Sequence, residues 1–61
     1  MLTEISFEKE SYMYTAVLSN GDRIIAFEDG TARGDSGNRY KIVSHLNEDE
    51  EVIIDGWEMI S

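Results

Sequence analysis

Between His45 and Ser61 the chain carries six carboxylates and neither lysine nor arginine: Glu48, Asp49, Glu50, Glu51, Asp55 and Glu58. Carboxylates at this density can ligate a hard cation, divide acid and base roles in a hydrolysis, or present negative charge to a cationic partner. Spacing decides among these. A calcium loop needs alternating oxygen ligands, a glycine at the sharp turn and a twelve-residue frame; Glu48-Asp49-Glu50-Glu51 has none of these, so only weak, screened cation binding is expected there. Hydrolysis by paired carboxylates needs a cleft that fixes their separation, and a chain of 61 residues has little room for a deep pocket. Display of charge is the reading that remains.

Three other stretches carry recognisable chemistry. Arg33-Gly34-Asp35-Ser36 spells the tetrapeptide of integrin ligands, but two glycines with Asp, Ser and Asn are also what a turn needs. Gly34-Asp35-Ser36-Gly37 resembles the nucleophile loop of chymotrypsin-like proteases over four residues. That mechanism also requires a base histidine, an orienting acid and an oxyanion hole; the single histidine, His45, follows the serine where the family places it before. His45 reads as a surface histidine near acids. No catalytic residue, metal site or cofactor is expected, and the chain reads as non-enzymatic.

The first 44 residues hold the other seven acids and all five bases, so the net charge of −8 belongs mainly to the C-terminal end. That balance repels nucleic acid and anionic membrane and favours a basic protein, including one whose usual ligand is a polyanion. Cysteine is absent, which excludes disulfides and thiolate metal sites as staples for a small core. Good packing or self-association must serve instead, in a monomer or a homodimer. No apolar run is long enough to span a bilayer as a helix, and Met1-Leu2-Thr3-Glu4 lacks the basic and apolar regions of a signal peptide. A cytoplasmic protein is expected.

The elements that must position the acids are strands. Apolar residues recur mostly at period two, from Ile5 and Phe7 onward, within one domain over residues 1–61. Asn20-Gly21 predicts a hairpin with a two-residue type I′ turn. That register opposes Leu18 to Arg23, Val17 to Ile24 and Ala16 to Ile25. It collects Tyr14, Ala16, Leu18, Ile25 and Phe27 on the core face, and Met13, Val17 and Ile24 on the other. Asp29-Gly30 predicts a second turn, Arg33 to Asn38 a loop, Arg39 to Leu46 a strand and Asn47 to Glu50 a charged loop. A helix within Glu48 to Ile54 is the competing local pattern. Asp55-Gly56 predicts a tight hairpin or a β-bulge, either of which sets Val52, Ile54, Trp57 and Met59 on one side. Tyr14 and Trp57 are assigned to the core, and Tyr12 to a partly exposed strand start. The fold class is all-β, five or six short antiparallel strands in a rolled sheet or small barrel.

A tiny, acidic, cysteine-free β-domain without an enzyme motif resembles, at the level of class, the small inhibitors encoded by phages and mobile elements, anti-CRISPR and anti-restriction DNA mimics among them. The resemblance implies a non-enzymatic inhibitor in the cytoplasm, that of the host if phage-encoded, occupying the nucleic-acid-binding surface of a partner by competitive occlusion. Alternate residues along a strand repeat at roughly 6.5–7 Å, and phosphates advance about 3.4 Å along the axis per strand on a longer, winding path. Carboxylates on strands and loops can follow such a track. The charge map alone nominates Glu48, Asp49, Glu50, Glu51, Asp55 and Glu58, with Glu28 and Asp29 secondary. The plainer use of the same charge is solubility; the alternative function is a self-associating structural domain or an accessory adaptor subunit.

Overall fold

The computed structural model describes residues 1–61. Six strands, β1 (Glu4–Glu10), β2 (Met13–Leu18), β3 (Arg23–Ala26), β4 (Thr31–Gly34), β5 (Arg39–Leu46) and β6 (Val52–Met59), form an antiparallel meander in the order β1-β2-β3-β4-β5-β6. The sheet curls strongly into a half-barrel with no helix, so Glu48 to Ile54 forms a turn and a strand start. At one end the curl brings the residues before β1 against the last strand: Leu2 and Trp57 exchange both backbone hydrogen bonds, at 2.9 and 2.8 Å. Gly56 makes that approach possible, because any Cβ there would strike the Leu2 carbonyl oxygen and the Met1 side chain.

Ala16, Leu18, Ile24, Ala32, Tyr40 and Trp57 form the core on the concave face, with Leu2, Tyr14, Ala26 and Ile42 packed against it. The expected type I′ register is off by one residue. Ala16 opposes Ile24 and Tyr14 opposes Ala26, so Ile24 is buried while Ile25 and Phe27 are 43% and 52% exposed. The loop has three residues: Leu18 N–H donates to Asp22 O, and Gly21 N–H donates back to Leu18 O, both at 2.8 Å. Only Gly21, at φ 87°, enters the left-handed region. Asn-Gly suits both this turn, a type I turn with a G1 bulge, and the type I′ turn. The three-residue form also lets Asn20 Oδ1 accept from Asp22 N–H at 2.9 Å and turns Asp22 inward to bond Tyr40. A one-residue slip exchanges the two faces of β3, which is why Ile24 replaces Ile25 in the core.

The same device recurs three times. Gly30 N–H donates to Phe27 O, Gly37 N–H to Gly34 O and Glu50 N–H to Asn47 O; in each case the residue opening the turn then donates to the carbonyl four positions on. The third loop residue is left-handed in every case: Gly30, Gly37 and, at φ 60°, Glu50. Arg33 and Gly34 therefore belong to β4, and only Asp35, Ser36 and Gly37 form the loop. In β6 the device is a bulge: Val43 opposes Gly56 while Ser44 opposes Ile54, leaving Asp55 as the extra residue. Met59, Trp57, Ile54 and Val52 then face Tyr40, Ile42, Ser44 and Leu46 along one side, as the bulge reading of the sequence requires.

Candidate functional site: an acidic end around an apolar hollow

A six-stranded meander places its connections alternately at two ends. The β2–β3 and β4–β5 turns share one end. The β1–β2, β3–β4 and β5–β6 turns share the other. The second end gathers Glu28 and Asp29 with Glu48, Asp49, Glu50 and Glu51, and adds Glu10, which the charge map had not singled out. All of these are exposed. Asn47 fixes the four-acid turn: its Oδ1 accepts from the N–H groups of Asp49 and Glu51, both at 2.9 Å. In the β3–β4 turn Asp29 Oδ1 accepts from Thr31 N–H at 3.0 Å and Thr31 Oγ1–H at 2.6 Å. The Thr31 hydroxyl, then its N–H, hold the Asp29 carboxyl below the usual carboxylate range.

Asp55 and Glu58 stand apart from this group, on β6. Asp55 Oδ2 lies 2.8 Å from His45 Nδ1, and Glu58 Oε2 lies 3.6 Å from Lys41 Nζ. These two nominated acids stand against basic side chains of β5, whereas no turn acid forms an ion pair. The arginines lie toward the opposite end. Arg33 directly opposes Arg39 across the β4–β5 pair, Ile25 opposes Arg33, and Arg23 opens β3. Like charges directly opposite are destabilising, and no arginine forms an ion pair within 4 Å. Acids thus predominate at one end, where Lys41 opposes Thr31 beside the β3–β4 turn and the Arg39 charge reaches Asp29.

At that opposite end a polar cluster locks two turns together. Tyr40, fully buried, donates to Asp22 Oδ2 at 2.6 Å. Ser36 Oγ–H donates to the same oxygen at 2.6 Å, and Asn20 and Asn38 each donate to the Tyr40 hydroxyl oxygen, at 3.2 and 3.3 Å. The Ser36 and Tyr40 hydroxyls lower the Asp22 carboxyl from its ordinary value. The cluster serves structure: it joins the β2–β3 turn to the β4–β5 turn beneath Gly34, where a side chain would collide with the Asp22 carboxylate.

The acidic end opens onto a hollow of about 600 Å³ in the concave face, lined mainly by apolar and aromatic side chains including Tyr12, Tyr14, Ile42, Ile54 and Trp57. Glu4 lines it as well. A bulge in β1 between Glu4 and Ser6 turns this carboxylate inward, where Oε2 accepts from Tyr14 Oη–H at 2.7 Å and Oε1 from Trp57 Nε1–H at 3.1 Å. Partial burial first, then the hydrogen bond to Glu4 and its charge, push the Tyr14 phenol up to about 12. Phe7 stacks on the Tyr14 ring at 5.6 Å and 11°. Tyr12 lies in the β1–β2 turn and is 96% exposed, beyond the partial exposure expected of a strand start.

No group of three or more His, Asp and Glu side chains stands close enough to hold a metal ion. The chain matches no protein-family model, no curated protein and no solved structure. Geometry and charge therefore carry the functional reading alone.

Proposed function

We propose that this chain is a non-enzymatic binding module that docks its acidic end on the basic, nucleic-acid-binding surface of a partner protein and excludes the nucleic acid by occupying its place. The observation that carries the reading is the gathering of acids: seven sit in or beside the three turns of one end, and no lysine or arginine forms an ion pair with any of them. A solubilising charge needs no such placement. Two of the three turns are held by side-chain hydrogen bonds, from Thr31 to Asp29 and to Asn47, so their acids are displayed on an ordered end of the sheet. Electrostatic complementarity of this kind speeds encounter at low salt and rejects acidic partners. Cytoplasmic action on a nucleic-acid-processing complex, of the anti-CRISPR or anti-restriction kind, belongs to this proposal.

The test is capture of a partner followed by competition. The reading expects a captured protein that binds DNA or RNA, that loses this binding as the chain is added, and that is released by high salt. Changing Glu48, Asp49 and Glu51 to lysine should abolish both effects with the fold intact. Unaltered capture by that variant would remove the acidic end from the interface.

A second reading, self-association, is favoured by the exposed apolar side chains: Ile5, Phe7, Met13 and Ile25 are all exposed, and β1 and β6 keep free edges beyond the Leu2–Trp57 bridge. Val17 is partly buried, and Ile24 drops out of that surface because it is in the core. Light scattering over a range of concentrations separates the readings: a salt-insensitive homodimer with no affinity for basic proteins favours the second.

A further inference from the structure

We infer that the hollow at the acidic end receives an arginine side chain of the basic partner, with Glu4 as its counter-ion. The inference rests on the reading of that end as a docking surface for a basic protein. It names the contact that anchors the docking.

Three observations converge on a cation with an apolar stem. The first is Glu4. Its carboxylate is partly buried among aromatic groups, and its two hydrogen bonds come from neutral donors, one to each oxygen. Each carboxylate oxygen has a second lone-pair direction, so both can still accept from a guanidinium fork. No lysine, arginine or histidine nitrogen lies within 4 Å of it. Lys9 lines the hollow but makes no ion pair there.

The second is the wall. Tyr14 is fixed by its bond to Glu4 and by the stacked Phe7 ring, while Tyr12 stands at the mouth almost wholly exposed. An exposed tyrosine contributes little to the fold of this chain, but it covers an inserted side chain well. Guanidinium groups stack on aromatic rings and make bidentate contacts with carboxylates, which an ammonium group does less well. The apolar liners Ile42 and Ile54 suit the methylene stem. The third is position. Ser11 and Tyr12 of the β1–β2 turn and Glu28 and Gly30 of the β3–β4 turn line the hollow, at the end that the Asn47–Glu51 turn shares, so the potential that draws in a basic surface points a cationic side chain at the opening. At about 600 Å³ the space exceeds one side chain, which leaves room for the backbone that presents it.

The test is a pair of nuclear magnetic resonance titrations on the whole chain, read at the Trp57 indole N–H and the backbone amides. The probes are N-acetyl-arginine N-methylamide and its neutral norleucine counterpart. Arginine should give a saturable shift at the Trp57 indole with millimolar affinity, and norleucine at least tenfold weaker binding. Glu4→Gln, which keeps a carbonyl oxygen for one of the two donors, should weaken arginine at least tenfold. Tyr12→Ala, at a site too exposed to affect folding, should weaken it about threefold. Equal binding of norleucine would make the hollow an apolar pocket and overturn the inference, as would an unmoved indole resonance. A deca-lysine peptide titrated in parallel reports on the turns. Shifts at the Glu48–Glu51 amides together with a silent indole refute the arginine site and leave the acidic surface standing. The reverse pattern refutes the acidic surface and leaves the arginine site standing.

Discussion

Glu50 occupies the position that glycine takes in the three sister turns, at φ 60°. A left-handed residue with a Cβ costs roughly 1–2 kcal/mol, and glycine's greater freedom in the unfolded chain returns about 0.4–1 kcal/mol of any gain. Glu50→Gly should therefore stabilise the fold by about 0.8 kcal/mol. For a domain of this size, about 4–8 °C per kcal/mol converts that into a rise in melting temperature of about 3–6 °C. The change also removes one carboxylate from a four-acid turn, so Glu50→Gln serves as the charge control, with an expected gain of only a few tenths of a kcal/mol. Gly37→Ala is the mirror experiment. A Cβ at Gly37 meets nothing within 4 Å, and its φ of 93° is the sole obstacle, so the variant should lose about as much as Glu50→Gly gains. Thermal unfolding followed by Trp57 fluorescence and circular dichroism measures all three. A Glu50→Gly protein no more stable than Glu50→Gln would refute the shared-turn reasoning.

The register separates two adjacent isoleucines. Ile24→Ala should cost about 2–4 kcal/mol and largely unfold the chain, while Ile25→Ala, on the exposed face, should cost under about 1 kcal/mol; urea titration of both distinguishes this register from the type I′ alternative. The Tyr14 phenol, near 10 in an unfolded chain and about 12 in the fold, binds its proton more tightly when folded. Its contribution is therefore complete below pH 10 and is lost as pH rises from 10 to 12. Partial exposure reduces it to about 1 kcal/mol, so the stability difference between wild type and Tyr14→Phe should narrow across that window, and a constant difference would contradict it. Raising salt from low to moderate should increase the melting temperature by screening the turn acids. A flat response would show that they are already neutralised within the fold.

Period-two spacing was enough to show an all-β chain, because alternation of apolar residues is imposed by the pleat itself. Arg39–Leu46 was legible for the same reason, and Asp55-Gly56 was legible as a break in alternation, since any straight β6 would have split Trp57 from Ile54; hairpin and bulge stayed open until the pairing of Val43 with Gly56 and Ser44 with Ile54 decided for the bulge. The hairpin register was not legible, since Asn20-Gly21 fits two turns differing by one residue, and the deciding contacts, Asp22 and Asn20 with Tyr40, come from another hairpin. The acidic cluster was legible as a count of charges but not as a place. Meander topology put Glu28 and Asp29 beside Glu48–Glu51 and added Glu10, while cross-strand pairing withdrew Asp55 to His45 and Glu58 to Lys41. Glu4 was invisible in the sequence. At a regular strand position it would read as surface, and only the bulge after it, with Tyr14 and Trp57 from two other strands, turns it inward.

Placement of charge, as distinct from its amount, is the central claim, and two variants of equal net charge test it. Each change of an acid to lysine adds two charges, so three such changes take the chain from −8 to −2. One variant reverses Glu48, Asp49 and Glu51; the other reverses Glu8, Asp35 and Glu58, outside the three acidic turns. Affinity for the deca-lysine peptide, measured by calorimetry at low salt, should fall at least tenfold in the first and less than threefold in the second. Equal losses in both would reduce the acidic end to bulk charge and contradict the reading of it as a docking surface.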